Sequence, residues 1–272
     1  IGNEKFMVIP GLINAHQHLT GDRLVQSCIP SDIEDTEAIF DWSVPIHASH
    51  SPDDDEISAT LSLAESARCG ITFTVEAGTV AFPEMVLNGF EKVGVGGAIG
   101  SWGWDVGNGP YVDSVDGVIE RQLQVLEMTK NHSSVKGWVT LVGHNLMSDE
   151  LLQKASNLAK ENSTNLTFHL SPHAGEVSQY LEKTGMRPVT YISELGVLGS
   201  HLLIGHAVHI DDSELEVLIN SKTAIASSPW AYLKLGQGIT KFGKHPEFVS
   251  KGGRLALGCD TENAGDAKDL LL

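Results

Sequence analysis

Phe6-Met7-Val8-Ile9-Pro10-Gly11-Leu12-Ile13-Asn14-Ala15-His16-Gln17-His18 is an apolar run that closes on two histidines. Side chains two apart on an extended segment point to the same side. The spacing therefore predicts a buried strand over 6–15 whose end aims both imidazoles at one point. Neutral imidazole is the commonest transition-metal ligand, so the pair reads as part of a metal site. The plainer reading is two strand-end histidines bonded to nearby backbone. Matching features downstream weigh against it.

Working outward, short β-branched runs recur near 71–76, 93–100, 135–142, 164–170, 201–206, 223–227 and 254–260. Between them lie helical patterns at 53–69, 113–130, 148–161 and 211–221. The last two open on Ser-Asp-Glu and Asp-Asp-Ser-Glu, which cap a helix and place acid in its first turn. Repeated strand–helix alternation predicts an α/β fold with a parallel sheet. Eight strands fit a (β/α)8 TIM-type barrel better than an open sheet. No Gly-x-Gly-x-x-Gly follows the first strand, so a dinucleotide site is not indicated. The stretch Gly94-Val95-Gly96-Gly97-Ala98-Ile99-Gly100 lacks a following Lys-Ser/Thr and reads as a tightly packed strand. The acidic run Asp53-Asp54-Asp55-Glu56 reads as a solvated helix start, since it lacks calcium-loop spacing.

The 272 residues are 41% hydrophobic, enough for a sizeable core. A net charge of −17 argues against nucleic acid or an anionic membrane as the main partner. No run approaches the roughly 20 apolar residues of a membrane span, and no secretory leader is visible. Cys28, Cys69 and Cys259 are an odd number without a Cys-x-x-Cys pair, which predicts buried thiols in a reducing cytoplasm.

In a parallel barrel, active-site groups come from the carboxyl ends of the strands. The first strand ends in His16 and His18, the fifth in His169, the sixth in His206 and the eighth in Asp260. An ionisable residue closing an apolar strand is costly unless it is paired or metal-bound.

Here the chain resembles the amidohydrolase superfamily, in its cytosine deaminase/chlorohydrolase-like branch. The matching segments are Val8 to His18, Phe168-His169-Leu170, Leu203-Ile204-Gly205-His206-Ala207-Val208-His209, Lys234-Leu235-Gly236-Gln237-Gly238-Ile239 and Leu255-Ala256-Leu257-Gly258-Cys259-Asp260. The resemblance implies one divalent metal ion, Zn or Fe, held by His16, His18, His169 and Asp260, with His206 as a further ligand in some relatives. It also implies His206 and Asp260 as catalytic groups that handle the protons of an attacking water. A metal brings the pKa of such a water from 15.7 to about 7. The expected reaction is hydrolysis of a non-peptide C–N bond in a small heterocyclic or amidine-like substrate.

Two departures stand out. Relatives carry His-x-x-Glu after the fifth strand, where this chain has His169-Leu170-Ser171-Pro172, and proline moves no proton. Relatives carry His or Asn after the seventh strand, where this chain has Ser227-Ser228-Pro229-Trp230. Three readings therefore stay open: a deaminase, a cyclic-amide or carbon–halogen hydrolase, and a metal-binding but silent relative. The ends, Ile1 and Leu272, lie close to the first and last strands. Against the family they predict a single hydrolase barrel domain over 1–272 that is a fragment of a longer chain. It would lack the flanking β-sandwich and C-terminal helices. Uncovered apolar surface would favour a homo-oligomer.

Substrate-contact candidates at the barrel mouth are His144, Trp102, His173 and Glu262. Each has a plainer reading: a loop histidine, a core aromatic, a helix cap and a loop acid. His173 or Glu176 could take over proton transfer. His209 reads as a supporting or surface residue, and Glu76 as a substrate contact, a supporting group or a salt-bridge partner. Trp104 and Trp230 could join Trp102 in an aromatic wall.

Overall fold

The computed structural model describes residues 7–21, 24–25, 28–30, 32–33, 37–260 and 268–271. Its strands are β1 (Leu12–Gln17), β2 (Ile71–Glu76), β3 (Gly96–Ile99), β4 (Val135–Gly137), β5 (Val139–Gly143), β6 (Leu166–Leu170), β7 (Leu202–His206), β8 (Ala224–Ser227) and β9 (Arg254–Leu257). After a π-helical turn at Ala38–Ser43 come α1 (Val44–Ala48), α2 (Pro52–Arg68) and α3 (Pro83–Val93). They are followed by α4 (Val115–Thr129), α5 (Asp149–Glu161), α6 (Ala174–Thr184), α7 (Pro188–Glu194) and α8 (Asp212–Ser221), then by short α9 (Pro229–Lys234), α10 (Ile239–Phe242) and α11 (His245–Ser250).

The helices start where side chains satisfy their free N–H groups. Ser51 and Asp211 form capping boxes with Asp54 and Glu214, and Ser114, Ser148 and His173 each accept a first-turn N–H. Helices α3, α6 and α7 were not among the predicted patterns. The first and last open on proline, and α6 on a histidine cap, in place of the usual Ser/Asp signature. The acidic run does open α2, but it is not solvated throughout. Asp55 is buried and lies 3.0 Å from His50 Nδ1.

All strand pairs are parallel, in two sheets ordered β1-β2-β3-β4 and β5-β6-β7-β8-β9. The predicted fourth strand, 135–142, is split at Trp138. Trp138 N donates to Ile99 O (2.8 Å), whereas Val139 N donates to Asn165 O (2.9 Å), so one run divides its pairing between two sheets. At the other edge Asp260 N donates to His16 O (2.9 Å) and His18 N to Asp260 O (3.3 Å). Ala15, Val75 and Ala98 of the first sheet form one apolar cluster with Leu203 and Ala226 of the second. A larger core packs β5–β8 against α5, α7 and α8 through residues such as Leu151, Phe168, Ile192, Ile204 and Leu215.

The first strand begins at Leu12, not at residue 6. Pro10 has no N–H for a ladder, and a Cβ on Gly11 would lie 2.2 Å from Thr72 Oγ1. Met7 and Val8 consequently stand 85% and 75% exposed. The glycine-rich strand is as expected, since a Cβ on Gly97 would sit 2.3 Å from the Phe90 ring. Of the three thiols, only Cys259 is buried, because Cys28 is exposed and Cys69 half-buried. No helix among the described residues is long and apolar enough to cross a membrane.

Candidate metal centre

Asn14, His16 and His18 share the period-two face of β1 and its exit. Asn14 Oδ1 accepts from His16 N (3.3 Å) and from Cys259 N (3.1 Å), which brings the chain after β9 against β1. Strand β7 comes close because residue 205 is glycine. A Cβ there would lie 2.8 Å from His16 Cε1. His16, His18, His169, His206 and Asp260 are all buried. His16, His18 and His169 bring ligand atoms within 4.8 Å of one another, as do His16, His206 and Asp260. His18 Nε2 lies 3.2 Å from His169 Nε2 and 3.4 Å from Asp260 Oδ1, and His16 Nε2 lies 3.7 Å from Asp260 Oδ1.

His169 Nδ1 lies 2.6 Å from Val142 O, and a carbonyl only accepts, so Nδ1 carries the hydrogen and Nε2 a lone pair. Thr79 Oγ1 donates to Glu76 Oε1 (2.9 Å) and lies 3.1 Å from His18 Nδ1. A hydroxyl that spends its hydrogen on a carboxylate accepts from its other neighbour, which leaves His18 Nε2 with a lone pair too. Two lone pairs and a carboxylate oxygen at these distances repel unless a cation sits among them. Both ring nitrogens of His16, and Nδ1 of His206, are buried without a hydrogen-bond partner among the described residues. This donor set fits a divalent ion, and nitrogen with oxygen suits Zn or Fe.

Burial drives the pKa of His16 and His169 far below the ordinary imidazole range, and neighbouring imidazoles add to this. Burial also takes His206 down to about 4, against the pull of Asp260, and His144 down to about 3. These rings are therefore neutral at pH 7, the form that binds metal. Burial would raise Asp260, but a hydrogen bond from His18 and the charge of His206 and His16, present only when those rings are protonated, pull it below the usual carboxylate range. The backbone is strained at this rim. His206 (φ 81), Ala207 (φ 48) and Asp260 (φ 61) are left-handed, as are His144 (φ 53) and Ser171 (φ 54).

The other candidates spread around the centre. His144 stacks on His169, with ring centroids 5.0 Å apart. Trp102 is buried, stacked on Tyr111 at 4.6 Å, and is linked to His144 by ring contacts through Trp104 and Phe40. Trp230 is 54% exposed on α9. His173 caps α6, with Nδ1 accepting from Glu176 N at 3.1 Å, so its neutral ring carries hydrogen on Nε2. His209 Nε2 donates to Gln237 O at 2.8 Å. Glu262 lies outside the described residues. Glu176 is buried, with Oε2 accepting from Ser171 N (3.0 Å). Burial raises its pKa to about 8 against that bond. The folded state thus holds a proton that the unfolded chain releases near 4.5, so stability falls as pH rises from there through about 8. Glu176→Gln is expected to flatten this slope, and urea unfolding across that range measures it. An unchanged slope would show that Glu176 ionises normally.

Sequence reasoning passed over Asn14, Thr79 and His245. Asn14 lies two residues before His16, so the spacing that pairs the histidines already points to it. His245 Nε2 donates to His206 O (2.8 Å) and its Nδ1 accepts from Ser227 Oγ (2.9 Å), which braces the strained turn after β7. Nothing local in sequence marks it.

The whole chain is 28% identical to the 5-methylthioadenosine/S-adenosylhomocysteine deaminase of Caldicellulosiruptor saccharolyticus, and spans 60% of that protein's length. In fold it is similar to an adenosine deaminase from Xanthomonas campestris with bound zinc (TM-score 0.87, 20% identity, covering 96% of this chain and 58% of that one). It is likewise similar to atrazine chlorohydrolase from Arthrobacter aurescens complexed with zinc (TM-score 0.85, 19% identity, covering 97% and 62%). The profile of the amidohydrolase family matches residues 7–272, and the chain belongs to that family.

Proposed function

We propose that this chain carries the metal centre of a hydrolase that removes an amino group from a small aminated heterocycle. The observation that carries the reading is the convergence of His18 Nε2, His169 Nε2 and Asp260 Oδ1, together with His16, from separate strand ends. The two sheets are read as arcs of one (β/α)8 barrel. The bonds at Trp138 and Asp260 and the apolar cluster shared between the sheets support this.

His16, His18, His169 and Asp260 would hold one zinc or iron ion, with His206 beside it. Such an ion supplies Lewis acidity and makes water acidic enough to ionise at neutral pH. The Asp260 carboxylate accepts the nucleophile's proton and returns it to the leaving amine. His206 stands beside Asp260 and orients the attacking water. Pro172 occupies the place of a glutamate, and the His173 Nε2–H is the donor left nearby to hydrogen-bond the substrate ring. His144, stacked on His169, lines the substrate side. The C. saccharolyticus deaminase points to a purine nucleoside as the substrate class.

Pro172 also favours a second reading. A halide leaves without a proton, so carbon–halogen hydrolysis needs no residue at that position. The zinc-loaded protein should release ammonia from at least one aminated purine nucleoside in a panel that also contains halogenated triazines and cyclic amides. Halide or a carboxylate as the product would select the second reading or its cyclic-amide variant. No turnover with zinc stoichiometrically bound would make the chain a silent relative.

A further inference from the structure

We infer that Thr79 and Glu76 are positioning residues that set the tautomer of His18 and with it the affinity of the centre for its ion. This rests on reading the histidine cluster as a metal centre. Glu76 ends β2 and is fully buried. Its carboxylate collects three neutral donors: Gly78 N (2.6 Å), Thr79 N (3.2 Å) and Thr79 Oγ1 (2.9 Å). Among the described residues no lysine or arginine pairs with it. A buried carboxylate without a counter-charge is costly. The one ionisable group that its hydrogen-bond chain reaches is His18, through Thr79 Oγ1 (3.1 Å to Nδ1).

The loop is built to hold this chain in place. Gly78 has φ +102, and a Cβ there would lie 3.1 Å from Thr140, so the turn packs tightly against β5. Ala77 N donates to Gln17 O (2.9 Å), and Thr20 Oγ1 donates to Thr79 O (2.6 Å). Both ends of the turn are thereby fixed to the strand that carries His18. The consequence is directional. The carboxylate orders the hydroxyl, the hydroxyl takes the Nδ1 hydrogen, and Nε2 is left as an aligned lone pair of raised basicity. Without the hydroxyl acceptor, His18 can place its hydrogen on Nε2, where it blocks the site.

Three variants test this: Thr79→Val, Thr79→Ser and Glu76→Gln. Zinc affinity is measured by competition with a chromophoric chelator, and the His18 tautomer by 15N NMR on metal-free protein under mildly alkaline conditions. Thr79→Val and Glu76→Gln are expected to weaken zinc binding about 10- to 100-fold, with Thr79→Ser within about threefold of the parent. The parent and Thr79→Ser should show the Nδ1–H tautomer, and Thr79→Val a mixture. A folded Thr79→Val that binds zinc as tightly as the parent would overturn the inference, as would an Nε2–H tautomer in the parent. If the parent binds no zinc, the metal-centre reading falls, and the tautomer measurement alone then decides the role of Thr79.

Discussion

Asp260→Asn is expected to lower turnover by about 10²- to 10⁴-fold while leaving the fold intact. Asparagine keeps the size and shape of the side chain but has no charge and accepts no proton. The backbone roles of the residue survive the change. Its N–H still donates to His16 O and its carbonyl still accepts from His18 N. The left-handed conformation (φ 61) is one that asparagine tolerates as well as aspartate does. Loss of activity is therefore attributable to the carboxylate and not to unfolding. Circular dichroism and the melting temperatures of the metal-free proteins serve as the control. A variant that keeps more than about a tenth of the parent turnover would remove Asp260 from the proton-handling role.

Stripping the metal is expected to abolish turnover and to destabilise the protein strongly. An ion present at about 1,000 times its dissociation constant adds about 4 kcal/mol to the folded state. A bound ion would also relieve the repulsion of His18 Nε2 with His169 Nε2 and Asp260 Oδ1, which lie 3.2 and 3.4 Å from it. Thermal melts with and without added zinc measure the effect. In His169→Ala the zinc-dependent shift should vanish, because one of the converging donors is gone. Equal melting temperatures for the parent with and without zinc would contradict the donor arrangement inferred from the hydrogen bonds.

The convergence of His16, His18, His169, His206 and Asp260 was legible because each closes an apolar run, and strand period fixes which side chains share a face. The helices over 52–68, 115–129, 149–161 and 212–221 were legible from caps and spacing. The start of β1 was not. Apolarity extends back to Phe6, and only Pro10 and the contact of Gly11 with Thr72 show where pairing begins. The division at Trp138 was equally hidden, because it depends on which neighbour receives each N–H. The supporting shell was the least legible part. Thr79 meets His18 across 61 positions, and His245 meets His206 across 39. Such contacts are products of the assembled sheets and leave no local pattern. The burial of Asp55 within an acidic run was invisible for the same reason, as its partner His50 lies before the helix.

The left-handed residues at the rim carry an evolutionary consequence. Each such non-glycine position costs about 1–3 kcal/mol, and glycine would remove most of it. At His206 and Asp260 the replacement that relieves the backbone therefore also removes the side chain from the cluster. A library of metal-free variants sorted only for heat resistance would accumulate glycines there. Selection for turnover has to work continually against that drift to keep both side chains in place.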